Sequence, residues 1–91
     1  MSGEEKRAYI LHVPTFVTQE QIMADDMLQL IRRFDAAWVM QAKDWYNYWG
    51  MFALKSEADQ YAFCEECRKL GIELEIDTRE AYVEARYVPG W

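Results

Sequence analysis

The order of strand-like and helix-like segments restricts this chain of 91 residues to few folds. An amphipathic helix is predicted from about residue 19 to residue 34, because apolar side chains recur there at helical spacing without a glycine or proline. Thr18 and Gln21 form a predicted capping box at its start. A short β-type run at residues 8–13 precedes the helix, and Pro14 ends that strand.

The rest of the chain continues with two strands, a second helix and further strands. Residues 36–41 and 45–54 are two β-type runs separated by three residues, a length that suits a hairpin. Ser56 is expected to cap the second helix, and Gly71 is expected to end it in the left-handed conformation. Residues 72–77 then alternate apolar and acidic side chains, which predicts a strand with one solvated face.

The predicted order is β-α-β-β-α-β, followed by an extra C-terminal strand within residues 81–88. This order is typical of an α+β domain with the ferredoxin-like split βαβ arrangement, in which two helices cover one face of an antiparallel sheet. Right-handed crossovers place the first and third strands side by side in the middle. The length allows one domain, residues 8–91, after a flexible N-terminus at residues 1–7.

Charge and hydropathy exclude several classes of protein. Sixteen acidic against ten basic residues give a net charge of −6, which disfavours a protein whose main role is to bind nucleic-acid phosphates. No apolar run predicts a membrane-spanning helix and the first residues do not resemble a signal peptide, so we expect a cytoplasmic protein. Nine of the acidic residues lie within residues 57–84, and such a surface suits a basic partner.

Cys64 and Cys67 have a C-x-x-C spacing that is found in metal and redox sites. A structural zinc ion needs four ligands, and the chain offers one histidine and no further cysteine, so we predict no metal and no other cofactor. Redox pairs of this spacing lie at a helix N-terminus, whereas these two lie about two turns inside the predicted helix. We interpret both thiols as core side chains, with redox chemistry as the alternative.

The face of the predicted sheet that lies away from the helices carries many large apolar side chains. On the third predicted strand, Trp49 and Met51 are expected to point outwards, whereas periodicity does not determine which of two alternating sets on the first and second strands does so. The predicted ligand or interface residues are Tyr9, Leu11, Trp38, Trp49 and Met51. An exposed apolar patch on the order of several hundred Å² is rare on a monomer, so we expect a cover. The candidates are a second copy, a small apolar ligand, a single-stranded nucleic acid, or the chain's own Tyr87, Val88 and Trp91.

Two stretches resemble the signatures of RNA-recognition motifs. Residues 8–13 are similar to the first signature, with Tyr9 at the stacking position, and residues 48–52 are similar to the second, with Trp49 at one stacking position. The resemblance implies binding of single-stranded RNA through stacked bases. Met51 replaces the other stacking aromatic and the domain is acidic, which disfavours nucleic acid as a ligand.

Residues 45–56, which run directly into an acid-rich helix, resemble the third strand and second helix of the dimeric α/β-barrel superfamily. The resemblance is to its muconolactone isomerase-like and antibiotic-monooxygenase-like members. It implies a ferredoxin-like fold, a homodimer that pairs sheet to sheet, and in some members an apolar pocket. It also leaves an isomerase or a cofactor-free oxygenase as an enzymatic alternative, although no catalytic residue carries over.

His12 is the candidate for proton transfer, because histidine is the side chain that titrates near neutral pH without perturbation. A core or surface histidine is the alternative interpretation. The sequence thus favours a self-associating binding module that holds a small apolar ligand. The alternatives are an RNA-recognition-motif-like domain and an acidic inhibitor that docks a basic partner through residues 57–84.

Overall fold

The computed structural model describes residues 4–40 and 48–91 as an α+β fold, with an antiparallel sheet of five strands and three helices in these ranges. Residues 41–47 lie outside the described residues, and they include the predicted hairpin turn, the last residue of the predicted second strand and the first three residues of the predicted third strand. The strands are β1 (Glu5–Pro14), β2 (Ala37–Met40), β3 (Tyr48–Leu54), β4 (Glu75–Ile76) and β5 (Ala81–Glu84). The helices are α1 (Gln19–Ile22), α2 (Asp25–Phe34) and α3 (Glu57–Lys69), and a 3-10 turn follows β5 at Ala85–Tyr87.

The sheet has the strand order β2-β3-β1-β4, which confirms that the first and third strands are neighbours. This order is compatible with a ferredoxin-like fold. The backbone N–H of Asp77 donates to the Ile10 carbonyl, and that of Ala85 donates to the Glu4 carbonyl. Carbonyls of alternate β1 residues point to the same side, so β4 and β5 follow one another along one edge of β1.

The predicted C-terminal strand is present as β5, and it changes where β1 begins. β5 pairs antiparallel with the start of β1, with Lys6 opposite Val83. The pairing brings Glu5–Arg7 into β1, although the sequence predicts a flexible N-terminus at residues 1–7. The partner residues in β5 are 75 to 79 positions away in the sequence, so no local pattern in these charged residues indicates the pairing.

The prediction of one continuous helix over residues 19–34 is wrong, because the chain forms α1 and α2 with a break between them. The capping box is confirmed: the Thr18 N–H donates to Gln21 Oε1 at 2.8 Å, and the Gln21 N–H donates to Thr18 Oγ1 at 3.2 Å. Ala24 is extended, with ψ of 154°, and α2 begins directly after it. Two aspartates then occupy the first turn of α2, where the helix dipole favours negative charge.

The second predicted helix is α3, and the residues predicted to begin and end it do so. Ser56 Oγ accepts a hydrogen bond from the Asp59 N–H at 3.1 Å, and Gly71 has a φ of 83° just after the helix. The buried Gln60 of α3 reaches the sheet edge, where its Nε2 donates to the carbonyls of Ile10 at 2.8 Å and Asp77 at 3.2 Å. This side chain ties α3 to the irregular edge between β4 and β5.

Apolar side chains form a separate core on each face of the sheet. The larger core lies between the sheet and the helices, where the Phe63 ring of α3 packs on Phe52 of β3 at a centroid distance of 5.1 Å. The smaller core lies on the opposite face of the sheet, the outer face. Its buried members are Ala8, Ile10, Ala53, Val83 and Val88. No described helix is long and apolar enough to cross a membrane.

Candidate functional site

The C-terminal residues cover part of the outer face. Val88 is 2% exposed, and it packs with the half-buried Trp91 against side chains of β1 and β3 that include Ile10 and Ala53. Ile10 and Ala53 are buried in the same cluster. Val88 and Trp91 therefore cover this part of the outer face, as in the alternative that the chain covers its own sheet, whereas Tyr87 remains exposed.

Val88 is expected to stabilise the fold because it covers apolar side chains of the outer face. Replacing it with alanine should lower the free energy of unfolding by about 1–2 kcal/mol, because a buried branched side chain would leave a cavity. Tyr87→Ala is the control: its side chain is 49% exposed, so the cost should stay near 0.5 kcal/mol or below, as is typical of surface changes. Urea unfolding of both variants measures the two costs, and equal values would contradict the role of Val88.

Four of the five predicted ligand or interface residues lie on the helix side of the sheet. Leu11 is fully buried there, and the half-buried Tyr9 and Trp38 pack against the same core. The alternation of β1 therefore places Tyr9 and Leu11 on the helix side and Ile10 and His12 on the outer face. Of the two arrangements that the sequence allows, this is the one in which Tyr9 and Leu11 do not point outwards. Of the five, Met51 packs with the outer-face core.

A β-bulge explains the position of Trp49. Val13 pairs with Gly50 and Pro14 pairs with Tyr48, so Trp49 is an extra residue in β3. Its indole N–H donates to the Val17 carbonyl at 2.9 Å, on the helix side of the sheet. Strict alternation predicts Trp49 on the same face as Met51, and the bulge reverses this arrangement.

A partly buried hydrogen bond joins β1 to the turn after β4. His12 Nε2 lies 2.8 Å from Asp77 Oδ2, and the two side chains are 12% and 11% exposed. The Arg79 guanidinium also donates to Asp77, and so does the Arg79 backbone N–H, at 2.9 Å. Arg79 above all, and His12 after it, hold the pKa of the Asp77 carboxyl well below its usual range, although partial burial opposes this effect.

Tyr48 extends this polar cluster along the sheet. Its ring stacks on the His12 imidazole at a centroid distance of 4.9 Å, and its hydroxyl donates to Glu75 Oε1 at 2.7 Å. The hydrogen bond to the Glu75 carboxylate raises the pKa of the Tyr48 hydroxyl, because the carboxylate accepts from the protonated form and repels the phenolate. Imidazole, phenol and carboxylates thus lie together across three strands.

The role of Asp77 differs from the expectation that it lies on a solvated strand face. Glu73 and Glu75 are exposed as predicted, but Asp77 is largely buried between His12 and Arg79. Its contact with Arg79 lies within a local turn, and such a turn can be expected from the sequence. Its contact with His12 joins residues that are 65 positions apart, so no local sequence pattern predicts it. An aspartate beside histidine is an arrangement that orients an imidazole for proton transfer. A catalytic role of His12 stays a prediction.

A pocket of about 290 Å³ opens where the polar cluster meets the loop after β1. It is lined by Pro14, Thr15, Phe16, Tyr48, Glu73, Leu74 and Glu75. Phe16 is 74% exposed, and it is not among the site residues predicted from the sequence. The signal that could have identified Phe16 is an aromatic residue in the loop, two positions after the proline that ends a strand, because loops carry binding residues more often than strands do.

The two thiols lie in surroundings that disfavour reactivity. Cys67 is fully buried in the helix-side core, with its Sγ 3.7 Å from Met27 Sδ, and Cys64 is half-buried. Burial raises the pKa of the Cys67 thiol to about 12 and also raises that of Cys64. A thiol that stays protonated is a poor nucleophile and a poor metal ligand. The prediction that Cys67 is a core side chain is confirmed.

Comparisons of this chain with protein-family models, with curated proteins and with solved structures find no match.

Proposed function

We propose that this chain is a self-associating binding module with the ferredoxin-like split βαβ arrangement, and that two copies pair along β2. The supporting observation is that β2 is an edge strand, since it pairs with β3 and no other described strand pairs with it. Its sequence, Ala-Trp-Val-Met, has no charge and no proline, the features that commonly protect an edge strand from pairing.

A second copy is the partner that this edge fits best. Two identical edges related by a two-fold axis pair antiparallel, and each satisfies the free backbone groups of the other. The half-buried Val39 and Met51 lie opposite each other in β2 and β3, beside this edge. A small apolar ligand would also bind beside Val39 and Met51, because Val88 and Trp91 occupy the other end of the outer face.

The alternative of RNA binding has less support from the geometry. Tyr9 and Trp49 would have to lie on an accessible sheet face to stack on bases, whereas both pack against the helix-side core. The chain also has a net charge of −6, which repels a phosphate backbone. Self-association does not require base stacking, and we therefore favour it.

Light scattering coupled to size-exclusion chromatography tests the proposal. We expect the full chain to have twice its mass of 10.9 kDa at about 100 μM, because a specific homodimer has a micromolar or tighter Kd. Val39→Lys should give a folded monomer, because an edge lysine opposes strand pairing. The net charge of −6 on each copy should make the dimer stronger at high salt.

The matched control is Ala62→Lys, which places the same charge at an exposed position of α3 and should leave the dimer intact. Circular dichroism of Val39→Lys establishes that the monomer is folded. A monomeric wild-type chain at about 100 μM would overturn the proposal, and so would a Val39→Lys variant that dimerises as strongly as the wild type.

A further inference from the structure

We propose that the pocket lined by Phe16, Tyr48, Glu73 and Glu75 binds one basic side chain, lysine or arginine, of a protein partner. The inference concerns a surface other than the β2 edge and does not depend on self-association. It is carried by the shape of the pocket, by its aromatic and acidic lining, and by a second pocket beside it.

The size of the pocket fits a single side chain. Its volume of about 290 Å³ is at the lower limit of the range for small-molecule sites, which runs from roughly 300 to 1,000 Å³. Pro14 and Leu74 supply apolar walls that suit the methylene groups of a long basic side chain. A basic side chain that enters from solvent needs no enclosed cavity.

The lining of the pocket suits a positive charge. Glu73 and Glu75 are exposed carboxylates at its wall, and the Tyr48 hydroxyl holds one oxygen of Glu75 at 2.7 Å. Phe16 and Tyr48 are aromatic lining residues, and the faces of such rings attract ammonium and guanidinium groups. Among the residues that the structure describes, no lysine or arginine lines this pocket, so no described basic side chain competes for its carboxylates.

The charge of the whole chain acts in the same direction. A net charge of −6 attracts basic partners over a distance and accelerates their encounter with the surface. The acid-rich segment 57–84 includes both glutamates of the pocket. The pocket gives this negative charge a specific contact point.

A second pocket favours a protein over a free small cation as the occupant. It lies on the other side of the loop after β1, has a volume of about 390 Å³, and is lined by Thr15, Val17, Thr18, Gln19 and Trp49. The described lining residues carry no charge, and they expose mainly apolar surface. Phe16, 74% exposed, lies in the loop between the two pockets. A peptide with an apolar residue beside a basic one can occupy both pockets at once, and a small cation cannot.

Nuclear magnetic resonance of the full ¹⁵N-labelled chain tests the inference, with acetyl-leucyl-arginyl-leucinamide as the probe. We expect the amide shifts to cluster at Thr15, Phe16, Tyr48 and Glu75, with a Kd in the range of about 1 mM, as expected for few contacts. The same peptide with neutral citrulline in place of arginine should bind at least about fivefold more weakly. Added salt should weaken binding, the opposite of its effect on the dimer.

Two variants and two controls locate the contact. The double variant Glu73→Gln/Glu75→Gln and the variant Phe16→Ala should each weaken binding by about fivefold or more. Glu20→Gln removes an exposed carboxylate elsewhere, and Tyr61→Ala removes a side chain that is 49% exposed, so both should bind like the wild type. Unchanged spectra of the variants away from the pocket establish that they are folded.

Three results would overturn the inference. The first is a citrulline peptide that binds as tightly as the arginine peptide, and the second is binding that neither pocket variant weakens. The third is N-methylguanidine binding as tightly as the peptide, which would show that a free small cation suffices. Failure of the dimer test leaves these outcomes unaffected, because Val39 lines neither pocket.

Discussion

Asp77→Asn is expected to lower the free energy of unfolding by about 2–3 kcal/mol at pH 7, because it removes the charge from a largely buried hydrogen-bonded pair. The Asp77 and His12 side chains are 11% and 12% exposed, so little water replaces the lost interaction. Arg79 is 77% exposed, and its part of the loss should be small, since exposed ion pairs contribute at most about 1 kcal/mol. Most of the expected cost therefore comes from the contact between β1 and the turn after β4.

The pH dependence of this cost follows from the lowered pKa of Asp77. A carboxyl whose pKa is lower in the folded state stabilises the fold fully above its unfolded pKa of about 3.9, and this contribution is lost as pH falls through the acid range. The difference in stability between the wild type and Asp77→Asn should therefore shrink by about 1 kcal/mol between pH 7 and about pH 3.

Urea unfolding at both pH values measures this difference. The control is Glu73→Gln, which changes an exposed carboxylate on the same edge and should cost under about 0.5 kcal/mol at either pH. A difference between the wild type and Asp77→Asn that is the same at both pH values would show that the ionised carboxylate does not stabilise the fold.

Local patterns were sufficient to predict the order of elements, except that the first predicted helix is divided into α1 and α2 and the strand predicted over residues 72–77 is limited to Glu75–Ile76. The capping residues Thr18 and Ser56, the left-handed Gly71 and the alternating burial of Ile72 and Leu74 all act within a few residues, and each is present in the structure. The adjacency of β1 and β3 then follows from connection rules that hold for most sheets. Both kinds of information are available without a partner chain or a homologue.

The position of the candidate site could not be predicted, because it depends on long-range geometry. Trp49 turns to the helix side through a bulge that appears only when β3 pairs with β1. Asp77 meets His12 across 65 residues, and Val88 covers the outer face because β5 returns to the start of β1. Alternation within a strand cannot distinguish the faces of a sheet when both faces carry apolar side chains.

The Trp38 ring lies directly over Gly50, and this contact predicts the second large effect. A Cβ added at Gly50 would lie 2.4 Å from Trp38 Cη2, well inside contact distance. Trp38 cannot move away at low cost, because its ring packs on Phe52 at a centroid distance of 4.8 Å and on Trp49 at 5.3 Å. Gly50→Ala should therefore lower the free energy of unfolding by about 2–3 kcal/mol, the upper range for overpacking a core.

A double-mutant cycle distinguishes this steric conflict from a general preference for glycine in the strand. In a Trp38→Leu background the ring is absent, so Gly50→Ala should cost less than about 1 kcal/mol and the two changes should be strongly non-additive. Gly71→Ala is the matched control. A Cβ there meets no atom within 4 Å, but φ is 83°, so it should cost about 1 kcal/mol from backbone strain in either background. Urea unfolding of the five variants and the wild type yields both interaction energies. If Gly50→Ala costs the same with and without Trp38, the ring is not the obstacle, and the close packing of Trp38 on β3 does not account for glycine at position 50.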